Sequence, residues 1–190
     1  MTIFFDLEKV RNDHNCKIYF ETGLWDSNTN NSCKQALQCN FNKVYSTEIR
    51  EDFINIAKKV FINDIQNKRL ILIHDDSSNL KKYLNETCFD NNRVLFYLDA
   101  HVDNQNIKNF KNRCPLFEEL NAIKNMKTND NIILIDDLRI LNHKHPWNET
   151  SYGNINFINE IKKLILQINS QYKFKTLCGV VENDVLMAYI

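Results

Sequence analysis

The chain has 190 residues, 43% of them apolar, with 24 basic and 24 acidic side chains. That length holds one domain with a sizeable core, and a formal net charge of zero excludes the basic field that draws proteins to nucleic acid or to anionic membranes. No apolar run approaches the roughly 20 residues that cross a bilayer, so neither nucleic acid nor a membrane is an expected partner.

In chain order, residues 1–15 read as a short amphipathic helix, either a lid or a packing element, appended to a single domain spanning 1–190. Their start, "MTIFFDLEKV", has no basic stretch followed by an apolar one, so it does not read as a secretory signal. "CKIYFETG" (16–23) predicts the first strand; a helix follows, and "KVYSTEI" (43–49) predicts the second strand. "REDFINIAKKVFIND" (50–64) sets Phe53, Ile54, Ala57, Val60 and Phe61 at three- and four-residue spacing, the pattern of a helix with one apolar face. "RLILIHDD" (69–76) is the third strand, and "SSNLKKYLNET" (77–87) is a shorter helix capped by its serines. The fourth strand is "RVLFYLDAHV" (93–102), followed by the helix "CPLFEELNAIKNM" (114–126), which opens with a proline. The fifth strand is "NIILIDDL" (131–138), and "LNHKHPWNETSYGN" (141–154) after it is irregular. "INFINEIKKLILQIN" (155–169) is the last helix, and "YKFKTLCGVVENDVLMAYI" (172–190) reads as two strands joined through "END". Strands alternating with helices imply a three-layer α/β sandwich, Rossmann-like, with a mostly parallel sheet and a C-terminal antiparallel hairpin.

The six cysteines, Cys16, Cys33, Cys39, Cys88, Cys114 and Cys178, contain no C-x-x-C pair. Without a secretory signal they read as reduced, mostly buried thiols in a cytoplasmic setting. The sequons "NNS" and "NET" are then chance products of an asparagine-rich chain.

In an open α/β sheet, ligands bind outside the carboxyl ends of the strands, near the switch in strand order. The residues ending the strands are Glu21, Glu48, Asp75, Asp76, Asp99, His101, Asp136 and Asp137. An acid there is often only a helix cap or a solvated turn residue, but one topology gathers all eight on a single rim. Asp99 and His101 are two apart, so in an extended chain they point the same way. Asp136 and Asp137 are consecutive, and both can serve one site only if the chain turns between them.

"IYFETG", a helix and "KVYSTEI" resemble the first two cofactor motifs of class I S-adenosylmethionine-dependent methyltransferases. The combination "LDAH…CPLFEEL…IILIDD" is more specific. It resembles the metal-dependent subgroup that methylates sugars and related small molecules, including methyltransferase domains of viral and bacterial glycan-building enzymes. The likeness covers about residues 16–141. It implies S-adenosylmethionine as cofactor, with Glu21, Thr22 and Gly23 beneath its methionine part, Glu48 on the ribose hydroxyls, and Asp76 and Ser77 flanking the adenine. The loop "ETGLWDSN" departs from the usual pattern, with Trp25 and Ser27 where glycines often stand, which bears on how closely its backbone can approach a ligand.

The resemblance further implies an O-methyltransferase acting on a sugar, sugar nucleotide or glycan, in the host cytoplasm if the chain is viral. A homo-oligomer and association with a glycosyltransferase both remain open. A hydroxyl near neutrality is a poor nucleophile. A Mg²⁺ ion held by Asp99, Asp136 and Asp137 would grip the acceptor oxygens and lower the hydroxyl pKa, with His101 taking the proton. Asp99 and His101 are therefore the expected catalytic pair, although His101 equally suits support of a carboxylate. The alternatives are a metal-independent methyltransferase and a non-catalytic binding or assembly protein of the same fold. His143, His145, Trp147 and Tyr152 would line the acceptor side of the same rim, and His74 reads as a packing residue at the end of a strand.

Overall fold

The computed structural model describes residues 2–85, 87–101, 114–141 and 156–190. Its centre is a seven-stranded sheet formed by β1 (Ile18–Thr22), β2 (Lys43–Glu48), β3 (Leu70–His74), β4 (Val94–Leu98), β5 (Ile132–Ile135), β6 (Lys173–Leu177) and β7 (Val185–Tyr189). The strand order is β3-β2-β1-β4-β5-β7-β6. The first five strands are parallel, and β7 pairs antiparallel with both β5 and β6. This is the expected α/β architecture. The chain winds outward from β1 to β3 and then returns to lay β4 against the other side of β1, so the switch in order falls between β1 and β4.

The central strands are apolar throughout because both of their faces are covered. One face carries Phe20, Phe96, Leu98, Ile133 and Ile135, packed under α5 (Leu116–Lys124) and α7 (Phe157–Ile168). The other carries Tyr19, Val44, Leu95, Tyr97 and Leu134, packed under α1 (Leu7–Asp13) and α2 (Ser32–Gln38). Each large apolar side chain so buried contributes roughly 1.5–3 kcal/mol. The N-terminal helix is a packing element: Ile3, Leu7 and Val10 join the second core, and the Gln35 side chain bonds both the amide and the carbonyl of Ile3. At the β6 edge, Lys173 and Lys175 are exposed, and such charges discourage further strand pairing.

Three local expectations are corrected. The helix expected over 50–64 is two, α3 (Glu51–Val60) and α4 (Ile62–Gln66), because the chain breaks step at Phe61; Phe61 is buried there while Val60 faces solvent. The segment after β3 is a 3-10 helix, Ser77–Lys82, and its cap is not a serine: the Asp76 carboxylate accepts from the Ser78 amide at 2.8 Å. His74 is exposed rather than packed, with Nε2 3.2 Å from the Ile49 carbonyl. The single turn α6 (Leu138–Leu141) directly after β5 and the 3-10 turn Thr87–Phe89 were not foreseen. Among the cysteines, Cys16, Cys33 and Cys114 are buried, Cys39 and Cys88 half-buried, and Cys178 exposed. Among the described residues, no helix is long and apolar enough to cross a membrane.

Candidate active site

The carboxyl ends of β1 and β4 meet at a backbone contact that only glycine permits. Gly23 has φ +85°, and a Cβ there would stand 2.5 Å from the Asp99 carbonyl oxygen. The Asp99 amide donates to the Thr22 carbonyl (3.1 Å) and to its hydroxyl (3.2 Å), while the Gly23 and Leu24 amides both donate to the Thr47 carbonyl. The tips of β1, β2 and β4 are thus tied together by main chain.

Glu21 lies beneath this turn and is fully buried. It accepts from the hydroxyls of Ser32 (2.6 Å), Ser46 (2.6 Å) and Tyr19 (3.0 Å). Burial raises its pKa to about 7, against the pull of those three hydroxyls. Its contacts bind β1, β2 and α2 together, so its part is to support the loop. Glu48, at the end of β2, accepts from the Trp25 amide (2.9 Å) and the Arg50 amide (2.9 Å), one on each oxygen. A carboxylate oxygen has a second acceptor site, so Glu48 retains capacity for a diol. Trp25 stands in the left-handed region at φ +63°, where a glycine would be relaxed; the strain costs roughly 1–2 kcal/mol, and the bond to Glu48 helps to hold it. Asp76 is occupied as the 3-10 cap, and Ser77 behind it is buried.

Across the switch point, Asp99, His101, Asp136 and Asp137 are all buried. The chain does turn between the two consecutive aspartates. Asp137 adopts φ +60°, and its carbonyl accepts from the Ile140 and Leu141 amides to open α6. Asp136 accepts from the Tyr97 hydroxyl and from the Asp137 amide. His101 Nε2 lies 2.9 Å from Asp137 Oδ2 and 3.7 Å from Asp99 Oδ1. Burial would raise the Asp137 pKa, yet His101 and Arg139 hold it below the ordinary carboxylate range. Asp137 is therefore an ionised acceptor, and Nε2 of His101 is its donor.

Asp99 is in the opposite condition. Neither of its buried oxygens has a hydrogen-bond partner among the described residues. Burial, followed by the neighbouring Asp136 and Asp137, drives its pKa well above the usual value. Such a group is stabilised by a proton or by a cation. Ligand atoms of Asp99, His101 and Asp137 lie within 4.8 Å of one another, as do those of Asp136, Asp137 and Asp184. The expected triad of Asp99, Asp136 and Asp137 is thus distributed over two adjoining clusters that share Asp137. The unpartnered oxygens of Asp99, with the Asp137 carboxylate beside them, fit a magnesium ion, whereas His101, its Nε2 donating to Asp137, is not one of its ligands.

Three residues here escaped the sequence reading. Arg139 stands 2.5 Å from Asp137 and also pairs with Asp184. Asp184, buried in the β6–β7 connection, accepts from the Arg139 amide at 3.0 Å, and its own carbonyl accepts from the Leu138 amide. Glu119, on α5, is fully buried. The register of Glu119 with Leu116, Leu120 and Ile123 was a usable signal; nothing in sequence spacing points from Asp184 to Asp137. His143, His145, Trp147 and Tyr152 lie outside the described residues.

No protein-family model matches this sequence, and no curated protein matches it. Solved structures share its fold. An O-methyltransferase from Bacillus cereus in complex with S-adenosylhomocysteine aligns with a TM-score of 0.59 at 13% identity, over 97% of this chain and 78% of that one. TomG, an O-methyltransferase from Streptomyces achromogenes involved in tomaymycin synthesis and solved with S-adenosylmethionine, aligns with a TM-score of 0.59 at 9% identity, over 97% and 77%. The methyltransferase PaMTH1 from Podospora anserina, bound to S-adenosylhomocysteine, aligns with a TM-score of 0.57 at 16% identity, over 95% and 74%. The chain therefore has the Rossmann-like fold of these methyltransferases.

Proposed function

We propose that this chain is an S-adenosylmethionine-dependent O-methyltransferase acting on a hydroxyl of a sugar, sugar nucleotide or glycan. The observation that carries the reading is the imidazole of His101, held by the ionised Asp137 beside an unpartnered Asp99 at the sheet's switch point. The support for a sugar acceptor is the likeness in "LDAH…CPLFEEL…IILIDD", with the aromatic and polar segment around Trp147 next in sequence after α6.

S-adenosylmethionine supplies an electrophilic methyl group on its sulfonium. In this reading Gly23 brings the backbone close to the methionine part, over a loop braced by Glu21 and Thr22, and Glu48 accepts from the ribose hydroxyls. In the same reading the His101 imidazole, oriented by Asp137, takes the acceptor's hydroxyl proton, and Asp137 stabilises the imidazolium that results. Asp99, with Asp137 beside it, would hold a Mg²⁺ ion that lowers the pKa of the acceptor hydroxyl, while Asp136 lies in the adjoining cluster with Asp184.

Calorimetry with S-adenosylhomocysteine tests the reading. Binding is expected, and Glu48→Ala should weaken it by roughly 1–3 kcal/mol, the cost of leaving polar partners unmatched. No binding to the wild type at millimolar ligand would favour a non-catalytic binding or assembly protein.

Metal assistance has its own check. If Asp99 contributes to a Mg²⁺ site, chelator abolishes activity, Mg²⁺ or Mn²⁺ restores it, and Asp99→Asn raises the Mg²⁺ requirement. One observation favours a metal-independent variant: the Arg139 guanidinium already offsets charge on Asp137 and Asp184. Full activity in excess chelator would select that variant.

A further inference from the structure

Helix α5 turns a glutamate into the protein interior. Glu119 is fully buried on the stripe formed by Leu116, Leu120 and Ile123, where an apolar side chain would be expected. Neither of its carboxyl oxygens has a hydrogen-bond partner among the described residues. Burial raises its pKa to about 7. The hydroxyls of Ser77 and Thr22 and the His101 imidazole stand near enough to pull the other way, but the two hydroxyls do not complete hydrogen-bond geometry. The carboxyl therefore sits where three ligand-facing tips converge: the end of β1, the 3-10 helix after β3 and the turn after β4.

A buried acceptor without a donor costs about 1–3 kcal/mol, and the mechanism proposed above does not use this one. The topology indicates what could satisfy it. If Glu48 at the tip of β2 takes the ribose, the base extends toward β3, whose last residue pairs with Glu48. Ser77 follows there, and α5 packs against that 3-10 helix. Adenine offers three ring nitrogens that accept and one exocyclic amine that donates. Only the amine can donate a hydrogen bond to a carboxyl oxygen.

We infer that Glu119 is the specificity residue for the purine of the cofactor, its buried carboxyl accepting a hydrogen bond from the 6-amino group beside Ser77 and Thr22. The inference rests on the cofactor reading above and adds to it a requirement for the amine. Ionised or protonated, the group keeps an oxygen available to that donor.

The test is calorimetric titration with S-adenosylhomocysteine and with its 6-deamino analogue, in which hydrogen replaces the amine. Wild-type protein should bind the deamino ligand about ten- to a hundredfold more weakly, because the carboxyl is then left unmatched. Glu119→Leu should weaken S-adenosylhomocysteine and bind both ligands within about twofold of each other, whereas Glu119→Gln, which keeps a carbonyl oxygen in place, should retain most of the preference. Equal wild-type affinities overturn the inference while leaving the cofactor reading intact, and so does an unchanged preference in a folded Glu119→Leu protein. Binding of neither ligand overturns both. Should the leucine variant not fold, the ¹⁵N resonance of the labelled 6-amine decides the matter: it should move between wild type and Glu119→Gln, and coincident resonances overturn the inference.

Discussion

Replacing His101 by alanine is expected to lower turnover by roughly 10²–10⁴, the usual worth of a positioned general base, while S-adenosylhomocysteine affinity changes by less than about threefold. The separation follows from geometry. His101 is held by Asp137 across the switch point, whereas Gly23 and Glu48, assigned to the methionine part and the ribose, are fixed by backbone bonds to Thr47 and from Trp25 and Arg50. Added imidazole should recover part of the lost rate, since it restores a base without restoring the side chain. Asp137→Asn should also slow turnover with His101 intact, because an amide no longer dictates which ring nitrogen carries the proton. Undiminished turnover in the His101→Ala protein would remove the imidazole from the chemistry and leave proton removal to solvent or to Asp99.

The second large effect concerns stability and pH. The pKa of Glu21 is raised from 4.5 to about 7, principally by burial, so the folded chain retains a proton that the unfolded chain gives up near pH 4.5. The stabilisation from this group is complete below pH 4.5 and is lost as pH rises through about 7. A shift of this size corresponds to about 3 kcal/mol. Glu119 is raised to about 7 in the same direction and adds a similar loss. Thermal melts between pH 4.5 and 8 should therefore show stability declining toward the alkaline end. Glu21→Gln should flatten the decline, since a neutral amide of the same shape can still meet the hydroxyls of Ser32, Ser46 and Tyr19. Glu21→Gln combined with Glu119→Gln should flatten it further. An identical decline in wild type and both variants would mean that neither carboxyl titrates as its burial implies.

Most of the fold was legible in the chain because its signals are local. Five apolar runs alternating with helical segments are enough to require a parallel sheet with two covered faces, and the two apolar runs joined through "END" read as a hairpin. The strand-end acids were legible for the same reason: a sheet of this class places the carboxyl ends of its parallel strands on one rim, so Glu48, Asp99 and Asp137 could be nominated from position alone. What each acid does there depends on its partners, and those come from distant parts of the chain. Glu21 and Glu48 look alike in sequence, yet three hydroxyls from β1, β2 and α2 enclose the first and two backbone amides hold the second. Asp136 and Asp137 are neighbours, and the left-handed turn at Asp137 sends one to Tyr97 and the other to His101 and Arg139. Asp184 reaches the site from the hairpin, and Glu119 from the buried stripe of α5. Periodicity reports which side of an element a residue occupies, a property of the chain alone. Charge state, hydrogen-bond saturation and the grouping of ligand atoms depend on which elements meet, and only the packed structure decides that.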